Sequence, residues 1–181
     1  MPSSETPLDE LTAQLEGLHQ DSFAWALSCC GWNYADAEDV LQTTYLKVVS
    51  GRARYGGRST VRTWLFGVIR RTAHEHHRRA RSRRAGLDRL GRDPSATMSG
   101  SDDPGEATER TETAVALREA LGRLPPRQQE VMFLVFYEGM SVREAAEVME
   151  VTVGSARVHY DRGKRRLRGL LSDRYAPGEP E

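Results

Sequence analysis

Two small all-α domains joined by a flexible linker are what this sequence predicts, on three observations. Apolar residues recur at spacings of three and four at both ends of the chain, as on one face of a helix. No segment shows the sustained alternation of a half-buried strand. Between Gly86 and Thr113 the chain turns to Gly, Ser, Asp and Pro, with Asp93-Pro94 and Asp103-Pro104 as breakers, which reads as a linker. The expected domains are residues 1–85 and 113–175, with 86–112 between them.

The elements follow in order. Leu8, Leu11, Leu15 and Leu18 keep helical spacing, and Phe23, Ala26, Leu27 and Cys30 repeat it before a break at Gly31 to Asn33. Asp36 is expected to cap a third helix with Ala37, Val40, Leu41, Thr44 and Val48 as its inner stripe. Arg52 to Thr60, with glycines at 51, 56 and 57, reads as a loop. A fourth helix over 61–84 is anchored by Trp64, Leu65, Val68 and Ile69. Beyond the linker, helical pattern covers Ala114 to Leu121, stops before Pro125-Pro126 and resumes from Gln128 to Tyr137.

The C-terminal stretch predicts a helix, a tight turn and a second helix. Ser141 and Glu144 have capping-box spacing ahead of the apolar stripe Val142, Ala145, Ala146 and Met149, and Thr152 is placed to cap the next helix. At about 100° per residue, Val153, Ala156, Tyr160, Gly163, Leu167 and Leu170 line the buried side. Ser155, Val158, Arg162, Arg165 and Arg166 then point outward, where such a helix can enter a major groove. The five cations Arg162, Lys164, Arg165, Arg166 and Arg168 repel one another unless an anion such as phosphate neutralises them.

A formal net charge of zero conceals strong segregation. Residues 1–50 carry eight acids against Lys47 alone, a balance of −7, whereas 51–92 carry thirteen arginines against two acids, +11. Residues 93–112 return to −5 and 113–181 stand at +1. Such a chain has an acidic surface for a basic partner and separate basic surfaces for nucleic acid. Among the 26 bases only Lys47 and Lys164 are lysines; arginine suits bidentate phosphate and guanine contacts, and a GC-rich genome yields the same bias.

Other chemistries find little support. There is no secretory leader pattern and no apolar run of membrane-spanning length, so a cytoplasmic protein is expected. Cys29 and Cys30 are adjacent and predict packed thiols rather than a disulfide framework. His74, Glu75, His76 and His77 lack HExxH spacing, and no nucleophile motif or phosphate-cradling Gly loop occurs, so no metal, cofactor or enzymatic activity is expected.

The segment Asp36 to Val48, DAEDVLQTTYLKV, resembles the DAEDLVQExF core-binding helix of bacterial sigma factors. Thr63 to Phe66, TWLF, behind a Gly-containing loop and ahead of an arginine-rich helix, resembles their promoter-melting and −10 recognition segment. Leu124 to Val131, LPPRQQEV, and the helix-turn-helix resemble their −35-reading domain. With only a short linker between the two domains, the layout is similar to that of the extracytoplasmic function (ECF) group of RNA polymerase sigma factors.

That resemblance implies a sigma-2-like and a sigma-4-like domain, and partners in RNA polymerase core (the largest-subunit coiled coil and the flap) and promoter DNA. Glu38, Asp39, Gln42 and Thr43 would meet the polymerase, with Thr43 replacing the family's usual glutamate. Tyr55, Gly57, Arg58, Ser59, Thr60, Arg62, Arg70 and Arg71 would engage flipped, single-stranded −10 DNA, Tyr55 by stacking and the arginines through phosphate. Arg71 stands where many relatives have asparagine. Trp64 reads either as core or as a base-stacking surface. Ser155, Arg157, Val158, Asp161, Arg162, Lys164, Arg165 and Arg166 would engage −35 DNA, Arg157 from the edge of the buried stripe. Asp161 departs from the usual aromatic or basic residue, and a carboxylate there could accept from cytosine. Relatives are often held by an anti-sigma factor, a further partner the resemblance suggests. The competing reading is a helix-turn-helix regulator that recruits no polymerase.

Overall fold

The computed structural model describes residues 8–88 and 109–175, and the chain divides into two compact units, Met1–Ser101 and Asp102–Glu181. All described secondary structure is helical. Most of the expected linker and the tail after Tyr175 lie outside the described residues. The flanking helices run further than expected, to Asp88 on one side and from Glu109 on the other.

The first unit contains α1 (Leu8–Gly17), α2 (His19–Cys29), α3 (Tyr34–Val49) and α4 (Val61–Asp88). Helix α4 packs on both α2 and α3. Trp25, Phe66, Leu65, Ile69 and Val40 are completely buried at the centre, where each large apolar side chain contributes about 1.5–3 kcal/mol of burial. The Trp25 indole Nε1 donates to the Phe66 carbonyl at 3.0 Å and its ring stacks on Phe66 at 6.0 Å, satisfying the one polar atom this burial would strand. On α3 the buried positions are Ala37, Val40, Leu41, Thr44 and Val48, the stripe the spacing predicts.

The expected cap of α3 is corrected. Asn33 caps the helix, its Oδ1 accepting from the Asp36 backbone N at 3.0 Å, and Asp36 sits in the first turn. Asparagine and aspartate cap equally well, so their order cannot be read from spacing alone; the turn decides it. Gly31 and Trp32 both hold left-handed φ angles, +61° and +67°, and the Trp32 N–H donates to Leu27 O at 2.9 Å to close the end of α2. That geometry delivers Asn33, not Asp36, to the helix start.

The second unit contains α5 (Glu109–Gly122), α6 (Pro126–Met132), a π-helical turn (Phe133–Tyr137), α7 (Val142–Met149) and α8 (Val153–Tyr175). Helix α6 begins at Pro126 rather than Gln128, because proline at the first helical position has no N–H to leave unsatisfied. The predicted capping box on α7 is complete: Glu144 N donates to Ser141 Oγ at 3.2 Å and Ser141 N to Glu144 Oε2 at 2.8 Å. Glu150, at φ 55°, ends α7, and Thr152 Oγ1 accepts from Ser155 N at 3.1 Å to start α8. Val131, Leu134, Ala145, Val148, Met149 and Ala156 fill the core, so α8 rests on α6 and α7 along its Ala156 side.

Candidate functional site

Three surfaces carry the expected residues. On α3 the face opposite the core exposes Glu38, Asp39 and Gln42 to solvent, with Thr43 half-buried beside them. Sequence reading missed that this face continues into Leu46 and Val49, 69% and 71% exposed, at the same three- and four-residue steps from Asp39 and Gln42. Their signal was available: two large apolar residues off the inner stripe of an amphipathic helix call for a covering partner.

The loop between α3 and α4 holds its shape through its own side chains. Tyr55 Oη donates to the Ser59 carbonyl at 2.5 Å, and Gly57 takes φ +66°, a conformation that suits glycine. Thr60 Oγ1 accepts from Thr63 N at 3.1 Å and so caps α4, which gives that residue a structural duty. The Tyr55 ring lies at 55° to Trp64 with centroids 5.3 Å apart. Trp64 is neither buried in the core nor freely exposed; it is half-buried and forms one wall of a cleft of about 350 Å³. Lys47, Arg52, Arg54, Arg71 and Glu75 supply the charged part of its lining, with Ala53 and Val68 between them. Within it Lys47 Nζ donates to Glu75 Oε2 at 2.9 Å and to Thr72 Oγ1 at 3.0 Å, neutralising its only carboxylate. Arg52 and Arg54 were not singled out in the sequence because their convergence with Lys47 and Arg71 depends on the loop's path.

The arginines expected to hold −10 phosphate differ in exposure. Arg58 and Arg71 are exposed. Arg62 is half-buried, 3.5 Å from Asp21 and 5.2 Å over the Phe66 ring. Arg70 is a correction: at 4% exposure it is inside the fold and offers no guanidinium to DNA. The physical reason is the double packing of α4, which buries Leu65, Phe66, Ile69, Arg70 and Ala73 together, a wider face than one stripe.

The four-residue run His74 to His77 is dispersed by the helix. Glu75 turns to Lys47, His76 Nε2 lies 3.1 Å from Asp36 Oδ1, His77 Nε2 lies 3.1 Å from the Cys29 carbonyl, and His74 is exposed. No group of three metal-ligating side chains converges among the described residues. Burial first, and then the nearby Asp36 carboxylate, push the Cys30 thiol up to about 12 from 9.0, so it is held as an unreactive thiol.

On α8, Ser155, Arg157, Val158, Asp161, Arg162, Arg165 and Arg166 are all exposed, and Ala156 and Gly163 face the core. Arg157 therefore stands clear of the buried stripe. Val153 was expected on the buried side and is 40% exposed, because the first residue after the turn precedes the contact with α7. Lys164 is drawn sideways, 3.2 Å from Asp161 Oδ1 and 4.3 Å above the Tyr160 ring, so the departure at Asp161 has an intramolecular partner. Sequence reading also passed over Phe136, 61% exposed, which stacks on Tyr160 at 5.7 Å and edges an open groove of about 500 Å³ with Leu167, Arg168 and Leu171. No helix among the described residues is long and apolar enough to cross a membrane.

Comparison with known proteins fits both units. The family described as "Sigma-70 region 2" matches residues 17–83, and "Sigma-70, region 4" matches 114–167. The chain is 31% identical over 141 residues to RNA polymerase sigma factor CarQ of Myxococcus xanthus, covering 78% of each protein. It is 28% identical to ECF RNA polymerase sigma factor EcfG of Rhodopseudomonas palustris over 94% of this chain and 88% of that one. It is also 28% identical to RNA polymerase sigma factor YlaC of Bacillus subtilis, of whose length the match spans 64%. Among solved structures, the sigma factor RpoE bound to the anti-sigma factor NepR from Bartonella quintana shares the fold, with TM-score 0.67 and 23% identity over 91% of this chain and 98% of that one. CnrH, solved with the cytosolic domain of CnrY, has TM-score 0.61 and 21% identity over 94% and 93%. A region 2 unit followed by a region 4 unit, each helical in its described secondary structure, defines a promoter-specificity class of protein. The chain belongs to the sigma-70 family of RNA polymerase sigma factors, in its ECF group.

Proposed function

We propose that this chain is a transcription initiation factor of the cytoplasm that binds RNA polymerase core and directs it to promoters, acting by binding rather than by catalysis. The working domains are residues 1–85 for core and −10 DNA and 113–175 for −35 DNA, with the intervening segment as a tether. The observation that carries the reading is α3. A transcription repressor has no use for a solvent-facing helix that sets Glu38, Asp39 and Gln42 in line with exposed Leu46 and Val49. A basic, partly apolar coiled-coil surface would satisfy both halves of that face, charge by charge complementarity and the apolar pair by burial.

In this reading the loop of Tyr55 to Ser59 and the cleft beside Trp64 receive an unstacked −10 base, its phosphates held by Arg58, Arg71, Arg52 and Arg54. Helix α8 enters the −35 major groove with Arg157, Val158 and Arg162 toward base edges and with Arg165 and Arg166 toward phosphate. An anti-sigma partner, of the kind RpoE is bound to in its solved complex with NepR, belongs to the same reading. Run-off transcription with purified core, with and without this protein, tests it. Promoter-dependent transcripts are expected only when both are present. DNA binding without any transcript would leave a helix-turn-helix regulator instead.

A further inference from the structure

The cleft beside Trp64 draws its walls from three elements: the last turn of α3 through Lys47, the loop through Arg52 and Arg54, and α4 through Trp64, Arg71 and Glu75. Each wall is fixed from within. Ala53 N donates to the Lys47 carbonyl at 2.8 Å and Gly51 N to the Val48 carbonyl at 3.0 Å, with Gly51 at φ +69°, which ties the loop carrying Arg52 and Arg54 to the end of α3. Arg54 Nε donates to the Gly51 carbonyl at 3.3 Å. The Trp64 indole is backed by the Tyr55 ring, whose hydroxyl is engaged by the Ser59 carbonyl. A site already ordered in this way spares a small ligand the entropy of ordering it.

Charge and size then narrow the ligand. The lining holds four cations against one carboxylate, a net charge of +3, and Glu75 is already held by Lys47 at 2.9 Å. Those charges converge on one cavity of about 350 Å³ whose only aromatic wall is Trp64, which gives stacking surface for one base rather than for a run of them. Surfaces that track a strand spread their cations and rings along it. A strand also brings one phosphate charge per nucleotide, so one base of it covers the indole and leaves the cations under-compensated. Several like charges gathered on one small cavity instead fit a ligand with one base and several phosphate groups in a row.

We propose that this cleft also takes a free nucleoside di- or triphosphate, with its base on Trp64 and its phosphates on Arg52, Arg54 and Arg71, and that this nucleotide competes with the −10 strand. The proposal rests on the reading of the cleft as the −10 base site above and adds a regulator to it: promoter opening by this chain falls as the free nucleotide rises. Strand and free nucleotide offer the same chemistry, a base and phosphate, and differ in reach. A strand continues past the cleft to Arg58, which is exposed and outside the lining; a mononucleotide ends inside.

The test measures binding of GTP, GDP and inorganic tripolyphosphate to the full-length protein by calorimetry, in magnesium-free buffer so that the phosphates keep their charge. GTP should bind saturably and more tightly than tripolyphosphate. Trp64→Leu should weaken GTP about ten-fold, the scale of one base–aromatic stack, and leave tripolyphosphate unchanged, while Trp64→Phe keeps a ring on that wall and recovers part of the loss. Arg52→Gln with Arg54→Gln should weaken both ligands about ten-fold or more. Arg123→Gln with Arg143→Gln, the same charge taken from exposed positions of the second unit, should change neither. Circular dichroism checks that each variant keeps its helices. On holoenzyme reconstituted from core and full-length protein, GDP, which polymerase does not incorporate, should displace a labelled −10 strand, and Arg58→Gln should weaken the strand and spare GDP. No saturable GTP binding at millimolar concentration, tripolyphosphate binding as tightly as GTP, equal losses for the two arginine pairs, or GDP and strand bound together would each overturn the proposal. Holoenzyme that takes up no −10 strand while the chain still binds GTP would overturn the promoter reading of the cleft instead.

Discussion

Gly163 of α8 lies against Met132 of α6 so closely that a β-carbon in its place would stand 2.8 Å from Met132 Cγ and 3.2 Å from Sδ. Met132 is 2% exposed, so making room requires shifting a packed side chain toward the neighbouring groove. Gly163→Ala should therefore destabilise the second unit by about 1–3 kcal/mol, the usual cost of overpacking, despite alanine's better helix propensity. Thermal unfolding of the full chain reads this as a lowered transition for that unit. An unchanged or raised transition would mean that α8 slides freely on α6.

The Lys47 and Glu75 pair makes a second prediction. Lys47→Met removes the ion-pair partner that holds the Glu75 carboxylate, in a cleft that also contains Arg52, Arg54 and Arg71 and would take DNA phosphate. Binding of −10 single-stranded DNA by the holoenzyme should weaken several-fold, and Lys47→Met with Glu75→Gln should recover most of it, since the repelling charge has then gone. Fluorescence anisotropy with a labelled −10 strand measures both. Failure of the double variant to recover would place Lys47 itself on the phosphate.

On α8, Arg162 and Arg165 are both exposed but differently placed, Arg165 Nε lying 3.4 Å from its own helix's Asp161 carbonyl. Arg162→Ala should cost about 1–3 kcal/mol on the cognate −35 sequence and relax preference there, as loss of a base-edge contact does. Arg165→Ala should weaken all sequences alike and flatten the salt dependence by about one contact. Titrating both variants on cognate and scrambled −35 DNA separates them; equal loss on both DNAs for Arg162→Ala would reduce it to a phosphate contact.

The Cys30 thiol gives a prediction in pH. Its pKa is raised from 9.0 to about 12 in the fold, so the protonated thiol favours the native state. That contribution is complete below pH 9 and is lost as pH rises toward 12. At pH 8, iodoacetamide should label Cys29 and spare Cys30 until urea unfolds the chain, as read by peptide mass spectrometry. Equal native labelling of both would show that the end of α2 opens readily.

Periodicity alone determined the helical class, the inner stripe of α3, the capping box of α7 and the outward face of α8, because each depends on residues within a few positions of one another. Motif order, likewise local, pointed to the family. What lay beyond it was decided by packing. Arg70 reads as a basic residue in a basic helix, and only the placement of α4 against both α2 and α3 buries it. Asn33 takes the cap from Asp36 because of left-handed residues at 31 and 32. Arg52, Arg54, Lys47 and Arg71 are scattered in sequence and meet around Trp64 only through the path of the loop. Helical faces are set by a repeat of 3.6 residues, whereas burial and convergence are set by what stands opposite, which a single strand of sequence does not contain.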